Sequence, residues 1–434
     1  MGLLRKILIV WNMRLILTGL VFLTDLLVAR YAGVALKGEY FFLTNNVLLI
    51  GTMLTAGLHF GNTYYSSKIA FPELVANSIL YSIGLSVVLV LSYPLLSHIP
   101  VLSAGGFGLK ATFLACLFLQ VVLVIYKQFF VASSLLSEYS TVRVMDRALF
   151  LLLLVLLWIS CAPSLNLIFG IFTLESFILF IITFFYLGSR LPWGTGAFSL
   201  NMGSLKKCLG YGLKSQALVS ADMGNQRLNA VLLGFLASPT ENGLYSVAFN
   251  FGQALWVFFG ILGIVVQSGA GYSFEQQLDH LKKLTRHAVP LMILGAIAMA
   301  LLSRSIIRIG YGSAFLNSLP QLYMLLPGFV AYVIYYLLSS FMVVNGKALL
   351  ALLASLSGLL VNVLAGYLLI PRHGGFGAAE ALCFGYLTST ALLLILVRCM
   401  FQVSLRSLLI LQKGDISLII YKIRNTDLYN KFRL

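Results

Sequence analysis

The apolar stretch 212–236 carries an unusual density of polar side chains: Gln216, Ser220, Asp222, Asn225, Gln226, Arg227 and Asn229. On a helix, Asp222, Asn225, Gln226 and Asn229 share one face through three- and four-residue steps, whereas Arg227 is turned away by about 140°. A charge at the middle of a membrane span costs about 2.5–3.5 kcal/mol, so such a helix is expected to border a hydrated cavity, here on two sides. A guanidinium there can make forked contacts with a phosphate-type anion. The competing reading of Arg227 is an ion pair with an acid from another helix that only holds the bundle together.

Three further charges fall inside apolar stretches: Arg14 and Asp25 in the first, and Glu175 in the sixth. Arg14 and Asp25 lie eleven residues apart, hence on nearly the same helix face. Arg14 is a second candidate anion contact, with snorkelling to the headgroups as its alternative. Asp25 is a candidate cation or proton site, with a salt bridge to Arg30 or Arg14 as its alternative. Glu175, flanked by Phe172, Phe177 and Phe180, is a carboxyl that could titrate during transport or satisfy another buried group. Asp222 joins Asp25 and Glu175 as a candidate for ion coupling. Asn45, Asn46, Gln120, Asn225, Asn229, Asn250 and Gln253 are neutral amides, which both donate and accept hydrogen bonds and so suit a hydroxyl-rich ligand. Helix-to-helix bonding is the plainer role for such residues in a membrane.

Composition decides what kind of molecule positions these groups. Of the 434 residues 60% are hydrophobic and only 10% charged, with a mean hydropathy of +0.97, which excludes a water-soluble globular domain. Twelve apolar runs are each long enough to span a bilayer, which takes about 20 residues of helix. They cover roughly 7–29, 40–61, 73–95, 109–132, 145–162 and 165–187, then 212–236, 244–270, 287–303, 319–343, 348–370 and 377–400. They are continuously apolar rather than alternating, which favours helices over a barrel. The first run is longer than a signal-peptide core and no small-residue cleavage site follows it, so it is expected to be retained.

Threaded through a membrane, these runs leave most of the 29 Lys and Arg residues on one side, including Lys68, Arg143, Arg147, Lys206, Lys207, Lys282 and Lys283. The positive-inside rule then predicts both termini in the cytoplasm. The formal charge of +16 is spread over short turns and a tail, so it reads as orientation and attraction to anionic headgroups, not nucleic-acid binding. Five cysteines without paired spacing and five scattered histidines indicate neither disulfides nor a metal site. No nucleotide-binding loop, catalytic carboxylate pair or Ser–His arrangement occurs, and no cofactor is expected. The loops assigned to the outside carry only Glu39, Glu241 and Glu380 as acids, which weighs against a glycan polymerase or lipid-dependent glycosyltransferase. The stretch 274–287 reads as an amphipathic surface helix.

The organisation is duplicated. Gly38-Glu39-Tyr40 with Asn45 is echoed by Gly243-Leu244-Tyr245 with Asn250, and Leu95-Leu96-Ser97-His98 by Leu301-Leu302-Ser303-Arg304. The predicted fold is an all-α integral membrane protein of twelve transmembrane helices, in two parallel-repeat six-helix lobes around a central cavity. The lobes are expected at 1–190 and 212–401, joined by a cytoplasmic linker at 191–211 and followed by a basic tail at 402–434.

Several turns resemble those of bacterial polysaccharide (O-antigen and exopolysaccharide, Wzx-like) flippases. They are Ala29-Arg30-Tyr31-Ala32-Gly33 through Lys37-Gly38-Glu39-Tyr40 with Gly57, then Gly234 with Asn242-Gly243-Leu244-Tyr245-Ser246-Val247-Ala248. Asn362, Ile370-Pro371 and Gly374-Gly375-Phe376-Gly377-Ala378-Ala379 complete the pattern, so the resemblance covers nearly the whole chain. That family belongs to the superfamily of multidrug extruders and peptidoglycan-precursor flippases. The resemblance implies alternating-access flipping of undecaprenyl-diphosphate-linked oligosaccharide units across the bacterial inner membrane for O-antigen, capsule or exopolysaccharide synthesis. Arg14 and Arg227 would then contact the diphosphate, Asn46, Asn225, Asn229, Asn250 and Gln253 the glycan, and Asp25, Asp222 or Glu175 a coupling proton or sodium ion. Membrane lipids and the polysaccharide polymerase or chain-length machinery are the implied partners. The alternative is an ion-coupled drug or cation antiporter of the same superfamily, which would prefer a cavity dominated by acids and aromatics.

Overall fold

The computed structural model describes residues 3–190, 199–268 and 271–412; the side chains of 3–12, of Arg14 and of a few residues in 257–268 fall outside the described set. The 413–434 part of the predicted tail and the 191–198 part of the predicted linker likewise lie outside it.

The chain is helical, with no strand among the described residues. It runs through α1 (Leu3–Leu54), α2 (Leu58–Tyr65), α3 (Phe71–Leu91), α4 (Pro100–Ala104), α5 (Gly106–Ala132), α6 (Leu136–Ser160) and α7 (Leu165–Arg190). There follow α8 (Met202–Leu236), α9 (Pro239–Ser268), α10 (Phe274–Ile306), α11 (Leu319–Val344), α12 (Ala348–Phe401) and the short α13 (Leu405–Leu409). Among the described residues seven helical stretches are long and apolar enough to cross a membrane, in keeping with a multi-pass membrane protein. α6 and α8 are also long enough to cross, but charged and polar side chains interrupt their apolar character.

Two of the helices are really pairs of arms. α1 breaks at Gly33 (φ 72°, ψ −177°) and α12 at Gly374 (φ 55°, ψ −131°), where a residue without a Cβ reverses the chain at low cost. The polar stretches around 30–39 and 371–376, expected as loops, are therefore mostly helical. Lys37 and Tyr40 sit within the first turns of an arm rather than in solvent. α8 begins ten residues before the expected start, because the Asn201 side chain caps it by accepting from Gly203 N (3.0 Å) and Ser204 N (3.3 Å). α6 begins at Leu136 rather than near 145, so Arg143 and Arg147 both belong to the helix. The expected surface helix at 274–287 is the start of α10: Ser273 and Gln276 form a capping box and the helix continues to Ile306.

Buried apolar side chains fall into two clusters, one drawn mainly from residues 28–208 and the other mainly from 230–408, giving two lobes. The lobes approach to backbone contact at both ends of the helices between them. A Cβ on Gly57 would lie 2.1 Å from the Gly212 carbonyl oxygen, and one on Gly38 would lie 1.8 Å from that of Pro239. Only glycine permits these crossings.

Candidate functional site

Between the lobes lies a cavity of about 570 Å³. Helix periodicity explains which side chains reach it. α1 contributes Thr18, Phe22 and Asp25 from its first arm and Tyr40, Thr44, Asn45 and Leu48 from its second. α6 contributes Arg143, Asp146, Arg147 and Phe150, and α9 contributes Asn250, Gln253 and Trp256, all at three- or four-residue steps. α8 contributes Arg227 alone. Asn45 and Asn250, which occupy matching places in the sequence repeat, both line it.

Arg227 faces the cavity, as its rotation from the Asp222 face predicts. Its Nη1 donates to Asn45 Oδ1 (3.0 Å) and its guanidinium stands 5.8 Å from the Phe249 ring. Its Nε is buried without a partner, and among the described residues no carboxylate forms an ion pair with it. The other face of α8 borders protein and not a second hydrated surface. Asp222 accepts from the Tyr335 hydroxyl (2.7 Å) and from Ser355 Oγ, behind the cavity wall.

The amides of that face bind helices together. Asn225 Nδ2 donates to Ser355 O (3.0 Å) and Asn229 Nδ2 to Asn362 Oδ1 (2.8 Å), while Asn362 Nδ2 donates to Asn225 O (3.1 Å). Both residues are buried between α8 and α12, bond helix to helix and line no part of the cavity. Asn46, also buried, donates to Phe42 O (2.9 Å) and is likewise removed from the cavity wall. Asn229→Leu is therefore expected to lower thermal stability in detergent by about 1–2 kcal/mol while leaving substrate selectivity intact. Melting curves alongside transport of two different glycans check this.

Among the described residues Asp25 forms no ion pair with Arg30. Lys37 Nζ, itself buried, donates to Asp25 Oδ1 (2.7 Å) and to the Asp25 carbonyl (3.2 Å). The second carboxylate oxygen accepts from the hydroxyl of Tyr311, a residue of the other lobe (2.7 Å). Arg30 reaches the same turn of that lobe, donating through Nε and Nη2 to the carbonyls of Gly310 and Ile309. The turn Ile307–Tyr311 is a short π-helix, gripped from two sides by the first lobe. Asp25 thus lies at the closed end of the cavity. Arg14 lies on the first arm of α1, with its side chain outside the described residues.

Glu175 is almost fully buried, shielded from the cavity, with Ser176 Oγ 3.4 Å from Oε2 and Oε1 unpartnered. It lines no part of the cavity, in contrast to Asn250 and Gln253.

Four contributors were missed by sequence reasoning: Arg143, Asp146, Arg147 and Trp256. Arg143 and Arg147, counted among the orientation charges, stand on the cavity wall. Asp146 between them accepts from Lys127 (3.2 Å) and lies 3.5 Å from Arg147 Nε, so one carboxylate serves two cations and Arg143 forms no ion pair among the described residues. The three-and-four spacing of Arg143, Asp146 and Arg147 at the head of an apolar run was the available signal. Trp256 follows Asn250 and Gln253 by the same spacing.

No family model and no curated protein matches the chain by sequence. Solved structures match by shape. The lipid II flippase MurJ in an inward closed conformation superposes with a TM-score of 0.73 at 16% identity, covering 98% of this chain and 93% of that one. An inward-facing multidrug resistance MATE transporter of the MOP superfamily gives 0.71 at 12% identity, covering 91% of this chain and 98% of that one. An outward-facing MATE transporter gives 0.60 at 14% identity, over 91% and 93%. The chain therefore shares the two-lobed fold of these transporters.

Proposed function

We propose that the protein flips an undecaprenyl-diphosphate-linked oligosaccharide unit from the cytoplasmic to the outer leaflet of a bacterial inner membrane. The observation that carries this reading is the cation surplus of the cavity. Arg227 and Arg143 have no carboxylate partner among the described residues, and Arg147 shares Asp146 with Lys127. Unpaired charge in a low-dielectric site is costly unless a ligand of opposite sign arrives to offset it. Forked guanidinium contacts from both lobes suit a diphosphate, whose bridging position would let its binding pull the lobes together. Arg14, on the first arm of α1, is proposed as a second contact to the diphosphate.

The drug-antiporter reading is less well supported, because both cavity acids are already engaged: Asp25 by Lys37 and Tyr311, Asp146 by Lys127 and Arg147. A cationic drug would find no free carboxylate there. The lobes are held together at the Arg30 end by the bonds of Arg30 and Asp25 to the 307–311 turn, and the proposed cycle loads the cavity once the Gly57–Gly212 contact at the opposite, cytoplasmic end opens. Asp25, Asp222 and Glu175 are the groups through which a proton or sodium ion could drive the cycle, and the polymerase or chain-length machinery would receive the product. Deleting the gene while keeping its neighbours should cause lipid-linked glycan to accumulate on the cytoplasmic leaflet. Wild type should clear this build-up and Arg227→Ala should not; unchanged lipid pools and surface glycan would turn the reading toward the antiporter.

A further inference from the structure

The two sides of the cavity differ in chemistry. The α6 side presents Arg143 and Arg147, whereas α9 has no cation over its whole length and Glu241 as its sole acid, in its first turn. What α9 presents instead is a stripe of neutral polar groups, Asn250, Gln253 and Trp256. Three features of this stripe point to a ligand. The amides of Asn250 and Gln253 line the cavity without a hydrogen bond to protein among the described residues, unlike Asn45, Asn46, Asn225 and Asn229, which are all engaged. The indole Nε1 of Trp256 is buried with no acceptor. The ring itself is braced from behind by Tyr332 and Tyr336, at centroid distances of 5.7 and 5.6 Å, which fixes its plane.

Unbonded amides and an unpaired indole N–H inside a membrane protein are costly unless water or a ligand meets them. Amides that donate and accept match vicinal hydroxyls, and a rigid aromatic face offers an apolar platform to the C–H side of a pyranose ring. From Asn250 to Trp256 the stripe rises about 9 Å, long enough to run beside a saccharide.

We infer that Gln253 and Trp256, with Asn250, form a saccharide subsite that reads the uncharged sugar attached to the diphosphate, separately from the arginines that hold the charge. This assignment rests on the flippase reading above and adds to it the specificity-determining residues. A site built to bond a hydroxyl discriminates most strongly against a ligand that lacks it, because its own polar groups are then left unpaired.

The test uses the full chain in lipid nanodiscs with two probes, undecaprenyl diphosphate and undecaprenyl-diphosphate-linked N-acetylglucosamine, their binding measured by native mass spectrometry. The wild type is expected to prefer the glycosylated probe by about tenfold, equivalent to about 1.4 kcal/mol. In Gln253→Ala and Trp256→Ala that ratio should fall toward one, and Trp256→Phe should keep most of it by retaining a flat ring. Because Trp256 also packs against two tyrosines, Gln253→Ala decides the matter if Trp256→Ala lowers the folded yield. A wild type that binds both probes equally, or variants that keep the tenfold ratio, would overturn the subsite while leaving the flippase reading in place. Failure of the wild type to bind either probe would overturn both.

Discussion

Arg227→Glu is expected to abolish export of lipid-linked glycan while the protein still inserts and accumulates normally. The substitution places a carboxylate on a wall where Arg227 donates to Asn45 and has no acid to offset it. A charge-assisted bond to a ligand contributes about 1.5–3 kcal/mol, and a like charge in its place adds repulsion, so a loss of at least two orders of magnitude in transport is anticipated. Arg227→Lys should fall between the two, because an ammonium keeps the charge but not the forked geometry. The check is export at matched protein level; near-normal export by the glutamate variant would remove Arg227 from the mechanism.

Asp25→Ala is expected to unlock the closed end of the cavity. The change leaves the Lys37 ammonium, only 1% exposed, without its carboxylate and removes the acceptor of the Tyr311 hydroxyl across the lobes. Stranding a buried charge costs about 3–5 kcal/mol, enough to shift the balance between the two arrangements by about two orders of magnitude or more. Tyr311→Phe keeps the ring over Lys37 and forfeits one bond, so its effect should be about 1 kcal/mol. Asp25→Ala combined with Lys37→Met should recover much of the loss, since no charge is then stranded. A cysteine introduced at Gln253, in a background without Cys161 and Cys399, reports the state through an impermeant maleimide added from the Arg30 side. Labelling should rise strongly in Asp25→Ala, weakly in Tyr311→Phe, and return toward wild type in the double variant. Equal labelling in all of them would mean that this contact does not hold the lobes.

The membrane architecture and the site differ in how far the sequence reveals them. Long apolar runs and the echo of Gly38-Glu39-Tyr40 in Gly243-Leu244-Tyr245 lead directly to two helical lobes, because burial against lipid is a property of composition. Arg227 was legible for the same reason: within 212–236 its rotation from Asp222 set it apart. Lys37 was not, because a polar stretch beside Gly33 looks like a loop until the glycine turns the chain within one residue and folds Lys37 back onto Asp25. Arg143 and Arg147 were hidden by the opposite effect. A basic residue near the start of an apolar run serves topology and cavity equally well, and only the orientation of α6 separates the two roles. The amides Asn225 and Asn250 look alike in sequence. One meets Ser355 and the other meets open space, a distinction made entirely by which helix packs behind them.

The most direct measurement is transbilayer movement of a fluorescent undecaprenyl-diphosphate-linked glycan in vesicles containing the purified chain, read by an impermeant quencher. The proposed function predicts quenching of the inner-leaflet pool with wild type, little with Arg227→Glu, and no acceleration in protein-free vesicles. Equal quenching in wild-type and protein-free vesicles, in either the absence or the presence of a proton or sodium gradient, would contradict it.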